Sequence, residues 1–224
     1  MNLDELYPGG PRLVQRPPVF KFGTDAVLLA KFTDPARAKR AADLGCGTGV
    51  LAVSLAARSA TVMVDCVDIL PEAVALTAEN AALNGLADRV RSHLADIRTI
   101  ADTLDAGAYD LVVANPPYFP QGGGKRALGD AIADARDETH CTLDDLCRAA
   151  AYLLRWGGRF SVVHRPERLG ELFITMHRHG IEPKRLQTVA LTGTHAPNLV
   201  LVEGRRGGNP GLKIEAPYLL QEST

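Results

Sequence analysis

Residues 43–49 read Asp43-Leu44-Gly45-Cys46-Gly47-Thr48-Gly49, and this stretch decides the fold. It follows the apolar run RAADLG and opens the helical pattern VLAVSLAA. Between a strand and a helix, glycines let main-chain N–H groups approach a ligand and take up unusual backbone angles without steric cost. The spacing is GxGxG. A dinucleotide site more often shows GxGxxG, whose third glycine packs helix against strand, and that position is Val50 here. Read alone, the loop also fits a purely structural tight turn.

Working outward, runs rich in Val, Ile and Leu alternate with helical patterns from residue 40 onward, as in a parallel sheet wrapped by helices. The predicted strands are RAADLG (40–45), VMVDCVDI (62–69), VRSHLA (90–95), YDLVVANP (109–116), GRFSVVHR (158–165), a stretch around LQTVAL (186–191) and NLVLVEG (198–204). Helices are expected at about 49–58, 72–84, 98–105, 142–155 and 166–179. Gly85 after Asn84 supplies a left-handed stop, Thr142 a cap, and Pro166 a first helical turn. Seven strands with crossing helices make a doubly wound α/β domain. Ahead of it, TDAVLLAKF (24–32) reads as a short helix over the site. Residues 119–137, with GGG at 122–124, read as a mobile loop.

With 224 residues, 46% of them hydrophobic, the chain can bury one sizeable core, and two full domains are not expected. A cap segment (1–39), a core (40–204) and a tail (205–224) of one domain follow from the pattern. MNLDELYPGGPRL is broken by Asp, Glu and Pro, and no run of 18 apolar residues occurs, so a soluble, cytoplasmic protein is expected. Cys46, Cys66, Cys141 and Cys147 form no CxxC pair and have no histidine at ligand spacing. They read as reduced thiols, with no metal site. The net charge of −1 argues against broad electrostatic binding to nucleic acid, yet residues 1–150 carry 15 Lys+Arg against 20 Asp+Glu and residues 151–224 carry 10 against 6. Arg165, Arg168, Lys184, Arg185, Arg205 and Arg206 are the candidate phosphate contacts in that basic back third; the alternative is a solvated surface.

Asp68 ends the second strand 25 residues beyond Asp43, where a carboxylate can accept both hydroxyls of a ribose. The plainer reading is a strand-end turn. Ile69 can cover one face of an adenine, and Asp96, in LADI after the third strand, can accept from the adenine amino group. Asp96 could equally be a helix cap.

The tetrad NPPY (115–118) is more specific because its chemistry is demanding. An exocyclic aromatic amine is a poor nucleophile with a delocalised lone pair and two N–H donors. If the Asn115 side-chain oxygen and the Pro116 carbonyl each accept one hydrogen, the nitrogen can become more tetrahedral and aim its lone pair at a methyl group. The two prolines fix the backbone so that both acceptors are oriented beforehand. Tyr118 can stack on the base, a contact worth about 1 to 3 kcal/mol. Orientation and the positive charge of a sulfonium would supply the catalysis. A methyl donor and a nitrogen acceptor are therefore implied.

The order GxGxG, acidic strand end, LADI, NPPY, LLRWGGRF resembles the class I S-adenosylmethionine-dependent methyltransferases that methylate amines. Over nearly the full length the chain is similar to the tRNA1(Val) adenine-N6 methyltransferase family, through VFKFGTDAVLLAKF (19–32), DLGCGTG, NPPYFP (115–120), CTLDDL (141–146), HRPERL (164–169), EPKRLQ (182–187) and NLVLVEGRRGGNPGLKI (198–214). The resemblance implies a Rossmann-like, mostly parallel seven-stranded sheet with helices on both faces. It implies S-adenosyl-L-methionine as cofactor, no metal, and methylation of the 6-amino group of an adenine in tRNA, beside the anticodon. It carries over Thr24 and Asp25 as a closure over the cofactor's methionine end, Asp43, Gly45, Gly47, Asp68 and Asp96 for the cofactor, and Asn115, Pro116 and Tyr118 for the target base; Gly49, Ile69, Ile97 and Asn115 complete the expected cofactor-binding set. One departure is ARDE, with Asp137 where the family has histidine.

A protein glutamine amide also offers two N–H donors, so glutamine N5-methylation is the enzymatic alternative. Only about forty residues precede the sheet, however, and the family that methylates glutamine carries an N-terminal helical domain there. A noncatalytic nucleotide-binding module or a dinucleotide oxidoreductase on the same fold is the third reading. An intact NPPY disfavours the former and GxGxG the latter.

Overall fold

The computed structural model describes residues 2–16, 22–116 and 141–221. Strands β1 (Asn2–Glu5) and β2 (Arg12–Gln15) form an antiparallel hairpin, followed by helix α1 (Thr24–Phe32). The main sheet comprises β3 (Arg40–Leu44), β4 (Met63–Asp68), β5 (Val90–Leu94), β6 (Tyr109–Ala114), β7 (Leu154–His164), β8 (Ile181–Ala190), β9 (Leu199–Arg206), β10 (Lys213–Ile214) and β11 (Tyr218–Leu219). Helices α2 (Val50–Ala57), α3 (Pro71–Leu83), α4 (Leu143–Leu153) and α5 (Leu169–Arg178) alternate with them.

The strand order is β10-β8-β9-β7-β6-β3-β4-β5, with β11 also on β8. From β5 to β7 the neighbours are parallel, and β9 alone runs antiparallel between β7 and β8. The seven expected strands are all present, and β10 and β11 extend the sheet to nine.

Side-chain alternation along the central strands explains the layers. On β3 and β6, Ala41, Leu111 and Val113 pack with α1 and α2, whereas Ala42, Leu44, Val112 and Ala114 pack with α4. Seven of the eight residues of α2 are buried, so VLAVSLAA is an interior helix. Helix α4 starts in a capping box: Thr142 Oγ1 accepts from Asp145 N (3.1 Å) while Asp145 Oδ2 accepts from Thr142 N (3.2 Å).

Four local expectations are corrected. The helix drawn at 98–105 is a 3-10 turn, Ile97–Asp102, capped by Asp96. Strand β7 begins at Leu154, not residue 158, because a left-handed Gly157 (φ 78°) and a register shift against β6 let the chain enter the sheet early. Residues 166–168 form a 3-10 turn before α5. The N-terminal segment holds a hairpin that the sequence reading missed. The loop expected at 119–137, with Asp137, lies outside the described residues.

Toward the N-terminal ends of the parallel strands, Asp65 sits in a closed polar cluster. Its Oδ2 accepts from Tyr109 Oη (2.8 Å) and Arg40 Nη2 (3.3 Å), and its Oδ1 meets His93 Nε2 at 3.0 Å. The Arg40 guanidinium lies 4.6 Å from the Tyr109 ring centroid. Among the described residues, no helix is long and apolar enough to cross a membrane.

Candidate active site

Strands β3, β4, β5 and β6 are mutually parallel, so the segments that follow them open on one edge of the sheet. Leu44 pairs with Ala114, Leu44 with Val67, and Asp68 with Leu94. The glycine loop and Asn115–Pro116, seventy residues apart in sequence, therefore leave the sheet side by side. Asp68, Ile69, Asp96 and Ile97 line the same edge on the other flank of the loop.

Gly45, Gly47 and Gly49 all adopt left-handed backbone, at φ 75°, 54° and 75°. A Cβ added at Gly45 or Gly47 would meet no atom within 4 Å, so these two positions present bare backbone to open space. Their amides are committed elsewhere: Gly45 N and Cys46 N donate to Val67 O (2.8 and 3.1 Å), and Gly47 N donates to Asp68 Oδ2 (2.9 Å). The loop's contribution is thus a shallow cradle lacking side chains, more than the row of donors the sequence suggests. Gly49 differs. Its Cβ would lie 2.9 Å from Thr77 Cγ2, so this glycine serves the packing of α2 on α3 and does not itself face the cradle.

Asp43 is fully buried beneath the loop. Its Oδ2 accepts from Ala52 N (3.3 Å) in the first turn of α2, while Oδ1 has no hydrogen-bond partner among the described residues. Burial pushes its carboxyl up to about 7, against the Ala52 bond and with help from the Asp68 charge. Burial raises Asp68 as well, although Gly47 N and Leu70 N (3.0 Å) both donate to it. Beside it Ile69 is an exposed apolar side chain, 49% accessible at the cradle's rim.

Asp96 fills the capping role expected of it. It caps the 3-10 turn through Arg98 N (2.8 Å) and holds the Arg98 guanidinium at 2.8 and 2.5 Å. Ile97, Asn115 and Pro116 are partly exposed at the same edge, whereas Tyr118 lies outside the described residues. Thr24 and Asp25 form the first turn of α1, which packs on α2.

The six candidate phosphate contacts of the back third do not form one patch. Arg165 and Arg168 follow β7 at the candidate edge; Arg165 Nη1 donates to Asn198 O (3.0 Å), and Arg168 is bidentate with Glu171. Because β9 runs antiparallel, Arg205 and Arg206 lie at the opposite edge, opposite Glu182 and Ile181 near the start of β8. Lys184 lies toward that end too, donating to Asn209 O (3.0 Å). Arg185 is structural: it bonds Glu215 (3.0 Å) and Glu203 (3.4 Å) and stacks on Phe32 at 4.1 Å.

The sequence reading missed Thr77 and Asn80. Both are buried on the inner face of α3 and reach the glycine loop: Thr77 Oγ1 donates to Gly47 O (3.3 Å) and Asn80 Nδ2 to Thr48 O (2.9 Å). The available signal was Thr77, Asn80 and Asn84 at helical spacing in an otherwise apolar stripe. Cys46 also does more than fill a loop position, since its sulfur accepts from Thr77 Oγ1 at 3.3 Å and lies against Cys66.

A model of the methyltransferase small domain matches residues 18–178. The chain belongs to the methyltransferase small domain family. Members with curated names include the tRNA1(Val) (adenine(37)-N6)-methyltransferase of Yersinia enterocolitica, 38% identical over 152 residues, which are 67% of this chain and 59% of that protein. The enzyme of the same name from Tolumonas auensis is 36% identical over 184 residues, 81% of this chain and 75% of that one. The chain thus spans about three fifths to three quarters of the length of these relatives. Among solved structures, a predicted O-methyltransferase from Agrobacterium tumefaciens superimposes with a TM-score of 0.72 at 20% identity, covering 89% of each chain. The geranyl diphosphate C-methyltransferase of Streptomyces coelicolor A3(2) does so with a TM-score of 0.58 at 16% identity, covering 80% of this chain and 77% of that one. At such identities these likenesses show the Rossmann-like methyltransferase fold alone.

Proposed function

We propose that this methyltransferase-family chain is a cytoplasmic enzyme that transfers a methyl group from S-adenosylmethionine to the exocyclic 6-amino group of an adenine in tRNA, beside the anticodon. The observation that carries the reading is the adjacency of the side-chain-free cradle at Gly45 and Gly47 to Asn115–Pro116 at the ends of paired strands. The names of its relatives point the same way. The residues present fit the cofactor: a cradle that a Cβ would fill, the Asp68 carboxylate, an exposed Ile69, and a buried Asp43 oxygen awaiting a donor.

S-adenosylmethionine supplies a methyl group made electrophilic by its sulfonium, and S-adenosylhomocysteine is the product. The protein's part is placement. Asp68 holds ribose hydroxyls, Ile69 covers a base face, and the Asn115 side-chain oxygen and Pro116 carbonyl accept the two hydrogens of the target amine, turning its lone pair outward. As the N–C bond forms, one amine proton leaves to water. Asp96 can serve the adenine of the cofactor once the Arg98 guanidinium yields part of its hold on the carboxylate. The target base has to be unpaired, which an anticodon loop permits at low cost. Arg165 and Arg168 stand nearest for its phosphates, with affinity falling as salt rises.

The test is incubation with labelled S-adenosylmethionine and total RNA from a strain lacking the protein, followed by nucleoside mass spectrometry. Labelled 6-methyladenosine in the tRNA fraction is the expected outcome. Label in protein, or none in tRNA, overturns the reading.

A further inference from the structure

Asn80 is completely buried on α3, and its one amide group joins two segments far apart in sequence. Its Oδ1 accepts from Val14 N (2.7 Å), and its Nδ2 donates both to Val14 O (3.1 Å) and to Thr48 O (2.9 Å). One turn on, Asn84 makes the matching pair with Arg12, accepting from its N–H (2.9 Å) and donating to its carbonyl (2.7 Å). The outer edge of β2 is therefore paired by side-chain amides as a neighbouring strand would pair it. Only Asn80 passes the connection on to the glycine loop.

The path continues beyond Val14. The next residue, Gln15, accepts from Phe22 N (3.1 Å) through Oε1 and donates to Asp4 through Nε2. Phe22 packs on the core one residue before Gly23, the residue that precedes α1. Hydrogen bonds, joined by chain links from Val14 to Gln15 and from Phe22 to Thr24, thus connect Thr48 through Asn80 to the start of α1, whose first turn holds Thr24 and Asp25. Such a buried amide is expensive to leave half-satisfied, so its three partners move together or not at all.

We infer that Asn80 is a positioning residue for the cofactor site, clamping the N-terminal hairpin to the glycine loop so that the loop and the start of α1 are held as one unit. The inference rests on the proposed cofactor site, and it gives the hairpin, which lies outside the matched family region, a part in that site. Asn84 grips the same hairpin without touching the loop. It is the built-in control.

The experiment compares Asn80→Ala, Gln15→Ala and Asn84→Ala with the wild type by calorimetric titration with S-adenosylhomocysteine and by hydrogen exchange of the ligand-free proteins. Expected are a loss of at least tenfold in affinity for Asn80→Ala, a smaller but clear loss for Gln15→Ala, and a change within threefold for Asn84→Ala despite a lowered melting temperature. Amide exchange in residues 24–32 and 45–49 should rise in the first two variants and stay at the wild-type level in the third. Equal affinities in all three, or faster exchange confined to the hairpin, would overturn the clamp. If Asn80→Ala does not fold, Gln15→Ala decides, since it cuts the path far from the loop. A wild type that takes up no S-adenosylhomocysteine sinks the proposed function, and the exchange pattern still judges the clamp.

Discussion

Two buried aspartates stand on neighbouring strands one register step apart, Asp43 opposite Cys66 and Asp65 opposite Ala42, so their side chains point to opposite faces of the sheet. Asp65 is saturated. Burial alone would raise its carboxyl, but hydrogen bonds from His93, Tyr109 and Arg40 outweigh that and hold it below the ordinary carboxylate value. Asp43 has one backbone amide, an oxygen with no partner among the described residues, and a carboxyl raised to about 7. The same side chain is a structural tie on one face and a poised group on the other. The Asp43 oxygen without a partner among the described residues lies beneath the loop that carries the bare glycines.

The sharpest way to break this contrast is at Asn115. Asn115→Ala should lower methyl transfer on the order of 10²- to 10³-fold, a far larger loss than any in affinity for S-adenosylhomocysteine. Single-turnover transfer with labelled cofactor measures it, and full activity in the variant would remove the assigned role. At the saturated aspartate the reverse is expected. Asp65→Ala should cost about 1 to 3 kcal/mol in urea unfolding, because the buried Tyr109 hydroxyl loses its acceptor, with cofactor affinity unaltered in the folded fraction.

Asp43 gives a pH signature of opposite sign. Its carboxyl is raised in the folded state from an ordinary value of 3.8, so the ionised form costs stability; the penalty is absent below about pH 4, grows as pH rises, and is complete above about 7. Asp43→Asn should therefore be more stable than the wild type by about 1 to 3 kcal/mol at pH 8, with the gap closing on acidification, yet bind S-adenosylhomocysteine more weakly. Thermal melts across pH 4 to 8 check the first statement. The smallest effect separates cradle from turn. Gly47 (φ 54°) and Gly85 (φ 67°) share left-handed backbone and open surroundings. Alanine at either should cost about 1 to 2 kcal/mol, and only Gly47→Ala should lose cofactor affinity.

The strand and helix pattern was legible because each central strand is buried on both faces and reads as a continuous apolar run. The glycine loop and NPPY were legible because left-handed backbone and fixed prolines demand particular residues. Less legible was anything decided by a distant partner. Nothing in the spacing of Asp96 shows that Arg98 holds it, and no local signal reveals that antiparallel β9 carries Arg205 and Arg206 away from Arg165. Gly49 read as part of a ligand loop because sequence cannot show Thr77 standing opposite its missing side chain. The hairpin escaped notice for a similar reason. Four-residue strands with side-chain amides for a neighbour leave little periodicity to read.

The two short strands β10 and β11 dock one after the other on the outer flank of β8, opposite Arg185–Leu186 and Val189–Ala190. A flank left bare would offer unsatisfied peptide groups to any passing chain, the usual seed of edge-to-edge aggregation. Residues 213–219 therefore act as a guard rail, and a truncation before Lys213 should increase self-association, read by light scattering.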